Sequence, residues 1–301
     1  MFSGTALCTY RGHSEMVCDI AWSPDGMMIA SGSYDQTVQV WSPTTGETLA
    51  VREGAGWLGT VTWSPDGTRL ASTLESDEGN RVEIWEVQTG KRERLLGEFL
   101  GEVGDVSWSP DGLSLAACSW GGEVQMYTVA TGEGGVIYTF DNNPGYAYAV
   151  DWSFDGAFLA ASGDYGMVVV FQRHDWNPLL LLSPQRARVN DLAWLPRRYS
   201  LAAGDGNDIC IWNVGTGETE AIYQGHTKTV FSVAASPDGH YLASGSGWDQ
   251  AVHVWDLTTA QHLATFEGYS SQFHALAWSS DSTCLAFATE DDAITVMRVI
   301  E

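Results

Sequence analysis

The sequence predicts an all-β chain in which seven sheets of four antiparallel strands stand in a ring, the architecture of a seven-bladed β-propeller. Three observations predict it. A hexapeptide, Ala21-Trp22-Ser23-Pro24-Asp25-Gly26, returns in related form at 62–67, 107–112, 151–156 and 234–239. A looser copy stands at 277–282, and 193–198 keeps the Trp and Pro while losing the Asp and Gly. The fourth-place turn residues Asp25, Asp66, Asp111, Asp155, Arg197, Asp238 and Asp281 are separated by 41, 45, 44, 42, 41 and 43 residues. Seven units of that period fill all 301 residues, so the array reads as one domain over 1–301.

Turn chemistry explains the hexapeptide. Pro fixes φ for the second position of a type I turn, Asp tolerates the third, and Gly supplies the positive φ that follows. The apolar alternating run 17–22 precedes the turn and 28–33 returns from it, so the motif is a hairpin corner with an anchoring aromatic. In the first unit strand a is 17–22, strand b 28–33, strand c 37–41 and strand d 47–52. Strand c ends on Trp41, Trp85, Tyr127, Phe171, Trp212 and Trp255, with Met297 in the last unit. Such side chains pack between neighbouring sheets.

The last unit runs out after its strand c. Residues 4–12 repeat the eight-residue glycine spacing of 46–54 and 217–225, and match 260–268 position by position. Residues 5–10 are therefore expected to serve as strand d of the seventh blade and to leave no open strand edge between the two ends.

Composition narrows the function classes. The net charge is −24, from 38 acidic and 14 basic residues. That balance argues against nucleic acid and anionic lipid, whose phosphates need Lys and Arg. It fits a basic partner, or simply solubility. No run approaches the roughly 18 apolar residues of a membrane span, 179–182 being the most apolar stretch. The amino terminus carries no basic flank followed by an apolar segment. Five scattered cysteines without a C-x-x-C fit reduced thiols in a cytoplasmic protein.

The units resemble WD40 repeats. Gly12-His13 and Gly225-His226 match that family's GH dipeptide and Trp255-Asp256 its WD dipeptide, with Trp85-Glu86, Trp41-Ser42 and Trp212-Asn213 as degenerate forms. The resemblance implies a structural hydrogen-bonded chain of His, strand-b Ser, turn Asp and strand-c Trp. Two units carry all four: His13, Ser31, Asp35 and Trp41, and His226, Ser244, Asp249 and Trp255, the second with one extra residue before the Asp. The other five units lack the His and are expected to rely on packing. The resemblance also implies a face, here the top, that commonly binds peptides or proteins around the channel mouth. The fold itself hosts many functions.

Alternation of strand direction puts the a–b and c–d turns on one face, and the b–c turns with the d–a connections on the top. Of 14 tryptophans, four stand outside the repeat. Trp57, Trp120 and Trp248 fall on top, and Trp176 below. Tyr34, Tyr146, Tyr148, Tyr165 and Tyr269 join them in top-face segments, among Glu75, Asp77, Glu78, Asp164, Asp205, Asp208, Glu290, Asp291 and Asp292. Aromatics among carboxylates suit a Lys- or Arg-bearing segment. The expected partner-binding set is Tyr34, Trp57, Trp120, Tyr146, Tyr148, Asp164, Tyr165, Trp248, Tyr269, Glu290 and Asp291. The plainer reading is that each Asp is turn chemistry and each stray Trp packs on its own loop.

No H-E-x-x-H, Walker A, G-x-S-x-G or Cys/His metal spacing occurs. Asp205-Gly206-Asn207-Asp208 lacks the glutamate of a calcium loop and reads as a turn. The expectation is a non-catalytic adaptor with no catalytic, metal or cofactor residues, monomeric by itself. It binds a basic peptide or protein and neither nucleic acid nor membrane. Two alternatives stay open: a sensor or autoinhibitory domain of a larger signalling protein, and a propeller lactonase or lyase using acids at the channel mouth.

Overall fold

The computed structural model describes residues 4–54, 59–76, 79–140, 145–182, 188–269, 275–289 and 291–299. The chain opens with β1 (Thr5–Tyr10). Blade 1 follows as β2 (Val17–Trp22), β3 (Ile29–Ser33), β4 (Thr37–Trp41) and β5 (Thr48–Glu53). Blade 2 is β6 (Val61–Trp63), β7 (Arg69–Ser76), β8 (Gly79–Glu86) and β9 (Arg92–Phe99). Blade 3 is β10 (Val103–Trp108), β11 (Ser114–Ser119), β12 (Glu123–Thr128) and β13 (Gly134–Thr139). Blade 4 is β14 (Ala147–Trp152), β15 (Phe158–Gly163), β16 (Val168–Gln172) and β17 (Pro178–Leu182), with a short 3-10 turn at Asp164–Gly166. Blade 5 is β18 (Leu192–Trp194), β19 (Ser200–Asp205), β20 (Asp208–Asn213) and β21 (Thr219–Gln224). Blade 6 is β22 (Ser232–Ala235), β23 (Tyr241–Ser246), β24 (Ala251–Asp256) and β25 (His262–Glu267). Blade 7 takes β26 (Leu276–Trp278), β27 (Cys284–Thr289) and β28 (Ala293–Arg298).

Seven four-stranded antiparallel sheets result, and the seventh runs β1-β28-β27-β26. The expected closure by residues 5–10 is realised: Thr5 pairs with Arg298 and Tyr10 with Ile294. The first strand of the chain thus completes the last blade.

The a–b turns show why the hexapeptide also needs its Ser. Ser23 Oγ donates to Asp25 Oδ1 at 2.6 Å while accepting from Met28 N at 2.9 Å. The same Ser-to-Asp bond recurs at Ser64, Ser109, Ser153, Ser236 and Ser279. Blade 5 has no such serine, and there Arg197 takes the positive φ of 62° after Pro196, as in a type II turn.

Adjacent blades are stitched at their inner strands. The strand-a indoles reach back one blade: Trp22 Nε1 donates to the Ala277 carbonyl, Trp63 to Ala21, Trp194 to Asp151 and Trp278 to Ala234. Carboxylates reach forward. Asp19 accepts from Val61 N at 2.8 Å, Asp105 from Val150 N at 2.9 Å and Asp191 from Val233 N at 2.8 Å. Each such Asp also accepts from the backbone N–H that follows it, so its two oxygens answer two buried donors. Asp151 differs by taking a place where the other units have Ala, Ser or Thr. Its Oδ2 accepts from Trp194 N at 2.9 Å, and burial, reinforced by the Asp191 charge, pushes its carboxyl up to about 7.

Candidate functional site

The two four-residue chains differ from the expected partner-binding set in kind, because their groups are consumed internally. His13 Nδ1 lies 2.9 Å from Asp35 Oδ2 and Nε2 2.8 Å from Ser31 Oγ, which accepts from Trp41 Nε1 at 3.2 Å. In blade 6 the same distances are 3.1, 2.9 and 3.0 Å through Asp249, His226, Ser244 and Trp255. The extra residue there is absorbed in the 246–250 turn, where Gln250 takes a positive φ of 57°, as Gln36 does at 61° in blade 1. Gly in the GH pair has a steric reason. A Cβ on Gly12 would stand 2.1 Å from Tyr10 Oη, and on Gly225 2.6 Å from Trp255 Cη2. In blade 2, which has no His, Trp85 Nε1 still donates to Ser72 Oγ at 3.1 Å.

On the top face the structure gathers part of the sequence-predicted set into one cluster across blades 3 and 4. Trp120, in the b–c turn of blade 3, meets Tyr146 edge-on at 6.2 Å, and Tyr146 lies 6.1 Å from Tyr148. Asp164 fixes both tyrosines: Tyr146 N donates to Oδ2 at 3.0 Å and Tyr148 Oη to Oδ1 at 2.7 Å. Tyr165 follows in the 3-10 turn with φ of 58° and 70% exposure. A left-handed tyrosine is an uncommon conformation that here turns the ring to solvent.

Tyr148 is buried, and Arg188, which the sequence reading did not single out, lies 4.6 Å over its ring. The cation–π slot on Tyr148 is therefore already filled from within, and this residue positions the cluster more than it offers a face. Burial and the hydrogen bond to Asp164 both hold its phenol above the usual tyrosine range.

The other predicted residues lie apart. Trp248, 57% exposed, occupies the lengthened turn of blade 6 and packs edge-on against Phe231 at 5.0 Å. Phe231 has no repeat signature that would have singled it out. Tyr34 is half-buried, its phenol pushed up to about 12 chiefly by burial. Asp291 is exposed and 3.9 Å from Arg11. Tyr269 is a correction: it is fully buried against Gly245 and belongs to the core between blades 6 and 7. Glu75 sits inside β7, paired with Asn80, because this hairpin runs longer than the turn expected there. Asp205 is buried and pairs with Asp208 across a two-residue hairpin loop, as expected of a turn. Trp176 packs on Trp152 at 5.6 Å, below its own blade. Trp57 and Glu290, with Asp77 and Glu78, lie outside the described residues.

Among the described residues, no group of three or more His, Cys, Asp and Glu could hold a metal ion, and no helix is long and apolar enough to cross a membrane. None of the five cysteines forms a disulfide, and four of them are buried.

Comparison with known proteins agrees with this geometry. The family model described as "WD domain, G-beta repeat" matches residues 4–42, 93–128, 134–172 and 217–256, just over half of the chain. The chain is similar to Protein FIZZY-RELATED 1 of Arabidopsis thaliana, 25% identical over 305 residues that take in 98% of this chain and 53% of that protein. It is similar to the B-type cell cycle switch protein ccs52A of Medicago truncatula, 25% identical over 301 residues, with 98% and 53% covered. Similarity to THO complex subunit 3 of Arabidopsis thaliana is 22% over 296 residues, with 96% and 78% covered. The chain spans about half the length of the first two of these relatives. On its repeats, its seven blades and the match of the family model, the chain belongs to the WD40 family.

Proposed function

We propose that the chain is a non-catalytic interaction scaffold, one propeller domain over residues 1–301, whose top face docks a basic peptide or protein surface. The observation that carries this reading is the aromatic cluster held by one carboxylate, with Trp120 and Tyr146 in contact over Asp164 and Tyr165 presented 70% exposed. Rigid aromatics presented at a surface are the usual anchors of protein interfaces. A chain of net charge −24 draws basic partners toward them. The relatives include a cell cycle switch protein and a subunit of a complex, which suits a scaffold more than an enzyme. Cysteines outside any disulfide support a cytoplasmic setting, and monomeric behaviour follows from the mutual repulsion of such acidic chains.

A second reading rests on coverage. Because the match spans 53% of FIZZY-RELATED 1, the propeller can serve as the sensing or autoinhibitory part of a longer protein. The test common to both is affinity capture from the native host with wild type and a Trp120→Ala/Trp248→Ala variant, at low and high salt. The proposal expects capture to fail in the variant at an unchanged melting temperature, and to weaken with salt. Equal capture by both proteins would remove it.

A further inference from the structure

The opposite face carries a feature that runs against the charge of the whole molecule. Between blades 2 and 3, a cleft of about 460 Å³ is lined by Arg69, Lys91, Arg92, Glu93 and Arg94 from blade 2, and by Gly112, Leu113, Val129 and Ala130 from blade 3. Four of the 14 basic residues of the chain thus line one cleft. The fold puts them there. Arg69 opens β7 just after its a–b turn, and Lys91 to Arg94 lead into β9 just after the c–d turn. Both turns belong to the face opposite the aromatic cluster. A bulge between Ile84 and Trp85 lets Arg92 and Arg94 pair with successive residues of β8, with Glu93 as the extra residue between them.

The four cations divide into two fixed and two unspent. Arg94 Nη2 donates to the Ala130 carbonyl at 2.6 Å, which ties its guanidinium to blade 3. Arg69 lies over the Trp108 ring at 5.1 Å, with Asp66 at 3.5 Å and Glu93 at 4.0 Å. Lys91 and Arg92 are exposed, and neither side chain has an ion-pair or hydrogen-bond partner among the described residues. Glu93 is the one carboxylate among the lining residues and Asp66 reaches Arg69 from beside the cleft, so cations outnumber acids along its wall. Screening confines the opposing field of the distant acids to roughly 8 Å at physiological salt, so the local surplus governs what binds here.

We propose that this cleft is a binding site for a phosphoryl-bearing anion. A wall of four cations and one carboxylate suits a phosphoryl group, which carries about −1.5 to −2 at neutral pH, better than a single carboxylate. Arginine forks meet phosphoryl oxygens in pairs, and the lysine adds a mobile point charge. The volume falls within the roughly 300–1,000 Å³ of small-ligand sites, so it admits the phosphoryl group together with part of what carries it. That carrier is either a free small molecule or a phosphorylated side chain of a partner protein.

Calorimetric titration at low salt distinguishes these, using inorganic pyrophosphate, a short phosphoserine peptide and the same peptide unphosphorylated. The expected result is saturable binding of pyrophosphate or phosphopeptide, absent for the unmodified peptide and weakened by salt. Tighter binding of the phosphopeptide assigns the site to a phosphoprotein, and tighter binding of pyrophosphate to a free anion. Lys91→Ser/Arg92→Ser removes the two unspent cations from exposed positions and should weaken binding roughly tenfold or more at an unchanged melting temperature. Trp120→Ala/Trp248→Ala should bind pyrophosphate like wild type, so this site and the aromatic face fail or stand separately. Absence of binding in wild type, or equal binding after removal of Lys91 and Arg92, overturns the proposal.

Discussion

Tyr10 lies flat against Trp41, ring centroids 4.4 Å apart and planes 1° from parallel. One ring belongs to β1, the strand that completes blade 7, and the other to β4 of blade 1. The stack therefore bridges the join between the two ends of the repeat array. The Tyr10 hydroxyl adds hydrogen bonds to Gln39 and, at 2.8 Å, to Thr48. Tyr10→Ala should lower unfolding free energy by about 3 kcal/mol, from lost burial and the cavity left behind. Tyr10→Phe keeps the stack and should cost only about 1 kcal/mol in hydrogen bonding. Urea unfolding of the two variants checks the ordering; equal losses would mean that the stack is not what holds the join.

Arg52 and Glu83 link blades 1 and 2 away from the channel. Arg52 Nε and Nη2 each donate to a Glu83 oxygen at 2.7 Å, and the Glu83 carboxylate is almost entirely buried. Arg52→Ala would leave that charge buried and unanswered, a loss of about 3 kcal/mol. Arg52→Met with Glu83→Leu removes both charges and should recover most of the loss. A double-mutant cycle by chemical denaturation measures the difference.

The three histidines of blade 6 set an acid response. The His253 ring lies tilted at 4.2 Å from that of His226 and 4.9 Å from that of His262, and its Nδ1 has no hydrogen-bond partner among the described residues. Burial, reinforced by the two neighbouring histidines and opposed by Asp249, pushes His253 down to about 4, and burial also lowers His226. Between pH 6.5 and 4 the unfolded chain takes up a proton at His253 that the folded chain refuses, so stability falls on acidification through that window. The slope should approach roughly 1 kcal/mol per pH unit, less than the full value because the ring is only partly buried. His253→Leu should flatten it, as melting temperatures between pH 4 and 8 would show.

Asp151 gives the opposite sign. With its folded-state value raised to about 7, the folded chain holds a proton that the unfolded chain releases above its ordinary carboxylate range. The site's contribution is therefore full at low pH and lost as pH climbs to about 7. Asp151→Asn cannot ionise and retains an acceptor for Trp194 N. It should raise the melting temperature at pH 8 by roughly 3 °C or more while changing little near pH 4. A fixed offset at both pH values would refute the assignment.

How far the chain could be read without coordinates differs from element to element. The hexapeptide spacing gave the hairpin corners, and β1 fell on residues 5–10 as the glycine spacing implied, because a turn is local chemistry in four or five residues. The inter-blade carboxylates were missed, although Asp19, Asp105 and Asp191 each stand three places before a strand-a Trp in a largely apolar run. An acid in such a run carries a signal, but its donors lie about 40 residues away. On the top face, Trp120, Tyr146, Tyr148 and Asp164 came together as a group, while Tyr269 went into the core.

Sequence alone determined the blade count, the hexapeptide corners and the strand that closes the ring, since each depends on backbone preferences of near neighbours repeated at a fixed period. Tertiary structure decided which aromatics face water, that Arg188 covers Tyr148, and that four basic residues from two separate turns line one cleft. Those outcomes depend on how one blade's side chains meet the next blade's, and repeat spacing does not encode that meeting.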